Sequence, residues 1–173
     1  MQKIMKNRSR AVLLLTISGT ALMLSLLILC QGRLTVLGWM IAVDFQDHTC
    51  LGNHRIFLVN TGDRNPERGA LFAFISRNTG YFRDGQMMVK IMTGLPGDSV
   101  DVTSSDTRVN GEITAHGLGA AEYAGADPKL FERSFTVPAG RYFMMGRSEL
   151  SLDSRYYGTV NEEDLVGRTY ILY

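Results

Sequence analysis

Residues 86–98 read QMMVKIMTGLPGD, and this stretch says most about how the chain folds. The first eight residues are mostly apolar and carry a single charge, Lys90, which is typical of a β-strand. The last five are rich in glycine, proline and aspartate, and Pro96-Gly97 supplies the backbone geometry of a tight turn. The stretch therefore predicts a strand over residues 86–93 that ends in a turn over residues 94–98.

Similar β-prone segments lie on both sides of this strand, each closed by turn residues. They occupy residues 55–60, 70–76, 141–145 and 169–173. Asn110-Gly111 predicts a hairpin with a two-residue turn, and residues 117–133, rich in glycine and alanine, predict a short helix or a loop. Strands spaced this closely, without long helices between them, predict a mainly β domain with antiparallel sheets.

Composition and charge exclude several classes of protein. Of 173 residues, 45% are hydrophobic and 20% are charged, which is too apolar for a disordered chain. The 18 basic and 17 acidic residues nearly cancel, which argues against a protein that binds nucleic acid by neutralising phosphates. We find neither a phosphate-binding loop nor a dinucleotide fingerprint. The sequence therefore predicts no nucleic-acid partner and no nucleotide cofactor.

The N-terminal part of the chain predicts a membrane anchor. Residues 11–30 contain no charge, and a helix of this length spans about 30 Å of hydrocarbon. Four basic residues precede the run, which predicts a cytoplasmic tail over residues 1–10. The run is too long for the apolar region of a cleaved signal peptide. We expect a single transmembrane helix at 11–30, a juxtamembrane linker at 31–44 and an extracytoplasmic domain at 45–173.

Lys90 admits two interpretations. It lies inside an apolar strand, where one face of a half-buried sheet is open to solvent, and a lysine there is an ordinary surface residue. Alternatively, the side chain is desolvated and its neutral amine serves as a general base. The pattern of the strand alone does not decide between them.

Two longer motifs resemble those of the type I signal peptidases. Lys90–Asp98 resembles the box in which the catalytic lysine precedes a Gly-Leu-Pro-Gly-Asp turn, and Gly146–Gly158 resembles the final box of that family, with its Ser-x-Asp-Ser-Arg-Tyr core. Val160–Arg168 is similar to the segment that follows this box. Arg68–Phe74 resembles the strand between nucleophile and lysine, with Ala70 in place of an acidic residue. The small size and single span look most like the conjugative-transfer branch, the TraF-type peptidases that mature pilin.

The resemblance implies a serine–lysine mechanism that uses no histidine, metal or other cofactor. Carried over residue by residue, Lys90 is the general base, Ser151 orients it, and Asp153 and Arg155 form a supporting ion pair. Further residues of the two motifs support the site from turns, namely Gly94, Pro96, Gly97, Asp98 and Gly146. The implied substrate is an exported precursor with small residues at positions −1 and −3, bound as an added strand. The implied location is the bacterial inner membrane, with the catalytic domain on its periplasmic side.

The nucleophile departs from the family pattern. The expected serine is missing from residues 44–56, and so is the proline that follows it. Measured back from the strand at 56–59, the serine position falls on or near Cys50, with Thr49 beside it. A thiol is the stronger nucleophile, whereas the branched β-carbon of threonine crowds the attack, so the chemistry favours Cys50. A third interpretation is that neither residue acts.

The predicted function is that of a membrane-anchored endopeptidase that cleaves leader peptides from exported precursors, and the resemblance to the conjugative-transfer branch indicates a prepilin. Two alternatives stay open: a catalytically impaired scaffold of a transfer or secretion apparatus, and a transpeptidase that cyclises pilin. His48, Cys50 and His54 suggest a metal site by residue type, but a zinc site needs a fourth ligand and rigid spacing. We therefore expect the bilayer and a precursor protein as partners, and no metal.

Overall fold

The computed structural model describes residues 16–25, 35–46 and 50–173. Residues 16–25 are helical and exposed, and we call this segment α1. In the described part of the chain, no helix combines the length and the apolar character needed to cross a membrane. The predicted cytoplasmic tail, the rest of the predicted span at 11–30, and Thr49 lie outside the described residues.

The described residues also form twelve strands and two further short helices, joined by loops and turns. The strands are β1 Thr35–Val36, β2 Trp39–Val43, β3 Ile56–Asn60, β4 Leu71–Ile75, β5 Met87–Gly94, β6 Ser99–Val102, β7 Asp106–Val109, β8 Glu112–His116, β9 Arg133–Thr136, β10 Arg141–Met145, β11 Val160–Asn161 and β12 Leu165–Ile171. The helices are α2 Gly119–Tyr123 and α3 Ser154–Tyr157, with 3-10 turns at Pro128–Phe131 and Glu162–Asp164.

The strands form two sheets in which every pairing is antiparallel. The larger sheet has eight strands in the order β1-β2-β3-β12-β4-β5-β10-β11, and the smaller has four in the order β8-β7-β6-β9. The prediction of a mainly β, antiparallel domain is confirmed. The hairpin prediction is also confirmed, because Asn110 and Gly111 join β7 to β8 with φ angles of 53° and 83°, the values of a type I′ turn.

One boundary differs from the prediction. The segment at 31–44, expected to be a linker, contains β1 and β2, and β2 pairs with β3 from Trp39 opposite Asn60 to Val43 opposite Ile56. Leu37 and Gly38 make the turn between β1 and β2, both with positive φ. A leucine at positive φ is not a turn signal, and the apolar run of β2 lacks alternation, so the pattern hid this hairpin. The large sheet therefore includes chain that precedes residue 45.

The large sheet brings two distant segments of the chain together at its centre. β5 lies between β4 and β10, and β10 leads directly into the loop that precedes α3. Met88 and Met92 of β5 pack against Phe72 and Phe74 of β4 in a buried apolar cluster. The strand that carries Lys90 is therefore held in the interior of the sheet, next to the loop that carries the second predicted motif.

Candidate active site

The side chain of Lys90 is fully buried. β5 alternates between buried and half-buried residues, and Lys90 lies on the same face as the buried Met88 and Met92, with 0% of its surface exposed. Its Nζ donates a hydrogen bond of 2.8 Å to Oγ of Ser151. Of the two interpretations of Lys90, the surface lysine is wrong and the desolvated one agrees with the structure.

Ser151 is held in place by the loop between β10 and α3. The residue is 1% exposed, and its N–H donates to the carbonyl oxygen of Ser148 at 3.0 Å. Gly146 passes close behind it: a Cβ on Gly146 would lie 2.2 Å from Ser151 Oγ and 2.8 Å from the carbonyl oxygen of Cys50. Only a glycine fits there, and the absence of a side chain lets the segments of Cys50 and Ser151 approach each other.

Asp153 and Arg155 form a buried ion pair under this loop. Arg155 donates to both carboxylate oxygens at 2.8 Å, and neither side chain is more than 1% exposed. Burial opposes the charge of Arg155, but the hydrogen bonds and the negative charge of Asp153 outweigh it and raise the arginine pKa. Asp153 also accepts from the N–H of Gly146 at 2.9 Å, and Arg155 donates to the Ser151 carbonyl at 3.3 Å. The pair therefore ties Gly146 and Ser151 to the start of α3.

Cys50 lies beside the same loop. Its carbonyl oxygen accepts the N–H groups of Arg147 at 2.8 Å and of Ser148 at 3.2 Å. The residue is half-buried, its thiol is free of any disulfide, and it lines a pocket of about 230 Å³. Other residues of this pocket, which we call the upper pocket, come from the end of β2 and the start of β5, namely Ala42, Val43, Met87, Met88 and Val89.

The predicted turn after β5 is fixed by Asp98. Its carboxylate accepts hydrogen bonds from the N–H of Leu95, from Nδ2 of Asn110 at 2.7 Å and from Nη2 of Arg68 at 2.7 and 2.8 Å. Burial acts to raise the pKa of Asp98, but these hydrogen bonds and the charge of Arg68 together lower it. Sequence reasoning missed Asn110 and Arg68 as partners, since neither is near Asp98 in the chain.

The two glycines of this turn are required for different structural reasons. Gly97 has a φ of +90°, in the region that favours glycine. At Gly94 a Cβ would lie 2.8 Å from Cβ of Phe143 on β10, so close packing of β5 on β10 requires a residue without a side chain. Both glycines, with Pro96 between them, therefore help to hold the end of β5 against its neighbours.

The structure gathers most of the predicted site residues in one place. Lys90 and Ser151 are joined directly, while Gly146, Asp153 and Arg155 surround Ser151, and Cys50 contacts the same loop through its backbone. Within the described residues, no group of three or more histidine, cysteine or acidic side chains is arranged to hold a metal ion. The arrangement offers a buried amine, a hydroxyl that accepts its hydrogen bond, and a thiol on the adjacent segment.

Comparison with known proteins places the chain in a family. Residues 13–173 match the family described as signal peptidase, peptidase S26. A probable signal peptidase I-2 of Synechocystis is 32% identical over 112 residues, which cover 62% of this chain and 48% of that protein. The plasmid transfer protein TraF of Escherichia coli is 29% identical over 119 residues, covering 58% of this chain and 67% of that protein.

A solved structure is also similar: a signal peptidase I from Enterococcus faecalis, 28% identical with a TM-score of 0.40, which covers 61% of this chain and 97% of that chain. The chain spans about half the length of the first curated relatives that it matches. The family match extends over nearly the whole chain and includes Lys90 and Ser151. The chain belongs to the signal peptidase family, peptidase S26.

Proposed function

We propose that this protein is a membrane-anchored endopeptidase that removes leader peptides from exported precursors, with Cys50 as the nucleophile and Lys90 as the general base. The observation that carries the proposal is the buried amine of Lys90, 2.8 Å from Ser151 Oγ, beside the loop that contacts Cys50. A structural lysine in a sheet interior needs a counter-ion, whereas a general base needs a partner that orients it without charging it.

Lys90 is buried without a counter-ion among the described ion pairs. None of the ion pairs among the described residues includes Lys90, and the charged residues near its partner Ser151, Asp153 and Arg155, are paired with each other. A general base must present a lone pair to the proton that it accepts, and the proposal requires this of Nζ of Lys90. The Ser151 hydroxyl fixes the direction of the amine without adding charge. Ser151 is therefore a positioning residue for Lys90.

The proposed reaction has two steps. In the first, Sγ of Cys50 attacks the scissile carbonyl carbon, and Lys90 takes the thiol proton. As the C–N bond breaks, Lys90 returns this proton to the leaving amine, and the leader stays bound to Cys50 as a thioester. In the second, water attacks the thioester, Lys90 accepts a proton from the water, and the proton then passes to the departing thiolate of Cys50. The leader leaves as a carboxylic acid and the enzyme is regenerated.

The choice of Cys50 over Thr49 rests on chemistry and on position. The thiol is free, half-buried and lines the upper pocket, while its backbone is fixed to the loop that carries Ser151. A cysteine thiol is also a better nucleophile than a secondary hydroxyl with a branched β-carbon. Thr49 is kept as the alternative nucleophile.

The upper pocket is the proposed site for the leader side of the substrate. Its lining is mostly apolar, which suits small apolar residues before the scissile bond. It is lined in part by residues 42–46, at the end of the β1–β2 hairpin that follows the uncharged run at 11–30. If this run anchors the chain in a bacterial inner membrane, with the tail at 1–10 in the cytoplasm, the pocket faces leaders that are still held in the bilayer. The similarity to TraF favours a prepilin of a conjugative transfer system as the precursor.

Co-expression with a candidate prepilin tests the proposal. Processing is scored by the intact mass of the pilin for the wild type, Cys50→Ala, Thr49→Ala, Lys90→Ala and, as a matched control, Lys129→Ala, which changes an exposed lysine. We expect processing by the wild type, Thr49→Ala and Lys129→Ala, and none by Cys50→Ala or Lys90→Ala. Processing by Lys90→Ala at the wild-type level would overturn the proposal.

The same masses separate the two alternative functions. A product lighter by one water than the cleaved pilin would mean that a further cleavage, at the carboxyl end of the pilin, leaves the pilin itself on Cys50 as a thioester. The terminal amine of the pilin, rather than water, would then resolve this thioester and close a ring, with the thiolate of Cys50 as the leaving group. No processing of any prepilin by the wild type, together with stable association between the two proteins, would favour a scaffold. The absence of a serine from residues 44–56 is the observation behind the scaffold alternative.

A further inference from the structure

A second cleft continues from the reaction centre along β5. The upper pocket is lined by Met87 and Val89, and a separate cavity of about 520 Å³ is lined by Ile91 and Thr93, the next residues on the same face of the strand. We call this cavity the lower cleft. Gly146, which adjoins both Cys50 and Ser151, also lines it. The two cavities therefore share one strand, with Cys50 on the upper pocket and Gly146, in close contact with the Cys50 carbonyl oxygen, on the lower cleft.

The far wall of the lower cleft is an open sheet edge. Thr114, Ala115 and His116 of β8 line it, and β8 is the outermost strand of the smaller sheet. Residues 112–114 and His116 are all exposed. An exposed edge strand presents unpaired backbone N–H and C=O groups, which form a template for a further strand.

The near wall is formed by Met145, at the end of β10, and by the loop that follows it as far as Glu149. Arg147 and Glu149 are exposed in this loop, while the backbone N–H of Arg147 is bonded to the carbonyl oxygen of Cys50. The lower cleft thus combines Ile91 and Thr93 of β5 with walls that carry several polar and charged side chains. Such a lining suits the start of a mature exported protein better than an apolar leader.

We propose that the lower cleft binds the segment of the precursor on the carboxyl side of the scissile bond, extended and added as a strand to the open edge of β8. This inference rests on the proposed function. A chain whose leader side fills the upper pocket and whose scissile bond lies at Cys50 must continue on the other side of the reaction centre, where the lower cleft begins. From Val89 to Thr93 the strand rises about 13 Å, so the two cavities together accommodate a few extended residues on each side of the bond.

The inference is tested with two peptides that share the leader and the scissile bond. One peptide ends one residue after the bond, and the other continues for six residues of the mature protein. Each hydrogen bond of an added strand strengthens binding, so we expect the longer peptide to be cleaved at least about tenfold more efficiently, mainly through a lower KM. Equal kcat/KM for the two peptides would overturn the inference and leave the proposed function intact.

Substitutions at Glu149 locate the effect in the cleft. The side chain is exposed, so neither Glu149→Trp nor Glu149→Ala disturbs the core. The indole of Glu149→Trp obstructs the cleft and should bring the ratio of kcat/KM between the long and the short peptide close to one. Glu149→Ala and the distant control Lys129→Ala should keep most of the wild-type preference for the long peptide. A ratio unaffected by Glu149→Trp would contradict the inference. Failure of the full-length wild-type enzyme to cleave either peptide would overturn the proposed function, and the inference with it.

Discussion

The amine of Lys90 and the hydroxyl of Ser151, 61 residues apart in the chain, are joined by a hydrogen bond of 2.8 Å in the interior of the domain. β10 lies beside β5 in the large sheet, and the loop that follows β10 carries Ser151 over Lys90. Each residue therefore depends on a different part of the chain for its position, and the sheet brings these parts together.

Ser151→Ala tests whether this hydroxyl positions the amine. Without its partner Lys90 can rotate away from the proton it must accept, and loss of a well-placed general base costs about 10²- to 10⁴-fold in rate. We expect kcat to fall within this range and KM to change little, since Ser151 is buried and lines neither the upper pocket nor the lower cleft. Peptide cleavage kinetics measure both, and Ser105→Ala, which removes an exposed hydroxyl, is the control. A variant with wild-type kcat would show that Ser151 has no such role.

Gly146→Ala tests the close approach of three segments. The new methyl group would lie 2.2 Å from Ser151 Oγ, 2.6 Å from Ser151 Cβ and 2.8 Å from the Cys50 carbonyl oxygen. None of these atoms is the end of a flexible chain, so the loop must shift, and overpacking of this kind costs about 1–3 kcal/mol. We expect a lower free energy of unfolding in urea and loss of cleavage.

Gly62→Ala is the matched control for that substitution, because a Cβ there meets only the side chain of Asn60 at 3.4 Å. Its stability should stay within about 0.5 kcal/mol of the wild type. Equal stability of both variants would contradict the packing that we describe around Gly146.

The predictability of the fold differed between its parts. The strands at 55–60 and 86–93 and the turn at Asn110-Gly111 follow from local preferences, and they were predicted within a residue or two. The β1–β2 hairpin was not, because Leu37 adopts a positive φ that its residue type disfavours. That conformation is stabilised by the pairing of β2 with β3, which the local sequence does not encode.

The candidate site could likewise be predicted from the sequence only in part. Alternation along β5 indicates that Lys90 shares a face with Met88 and Met92, but which face is buried depends on what packs against the sheet. The resemblance to a known family pointed to Lys90 and Ser151 as partners. The contacts of Asp98 with Arg68 and Asn110 had no signal in the sequence, since they join residues 30 and 12 positions apart.

Arg155→Met tests the buried ion pair. The substitution removes the partner of a carboxylate, Asp153, that has no access to water, and an uncompensated buried charge costs about 3–5 kcal/mol. For a chain of this size each kcal/mol lowers Tm by about 2–4 °C, so differential scanning calorimetry should find a large decrease. Arg108→Met breaks the partly exposed pair with Asp106 and should cost no more than about 1 kcal/mol. Similar decreases in the two variants would contradict the account of the buried pair.

The low pKa of Asp98 predicts a dependence of stability on pH. The folded protein holds this carboxylate ionised below the unfolded value of about 3.9, so its contribution is complete above that value and is lost as the pH falls through the folded pKa. We expect the free energy of unfolding of the wild type, measured in urea, to decrease steadily from about pH 5 downwards. Asp98→Asn should be less stable than the wild type at pH 7, and its free energy of unfolding should decrease less between pH 5 and pH 3. If the free energy of unfolding of Asp98→Asn fell as steeply with pH as that of the wild type, other carboxylates would account for the acid sensitivity.

The central claim is that Cys50 carries the leader as a thioester, and trapping this intermediate tests it most directly. A precursor peptide is mixed with excess enzyme, the reaction is quenched with acid within a turnover, and the intact mass and peptide map of the enzyme are recorded. We predict an adduct equal to the leader minus one water, mapped to Cys50, released by neutral hydroxylamine and absent from Cys50→Ala and Lys90→Ala. An adduct on Thr49, or turnover of the peptide by Cys50→Ala at the wild-type rate, would contradict the claim.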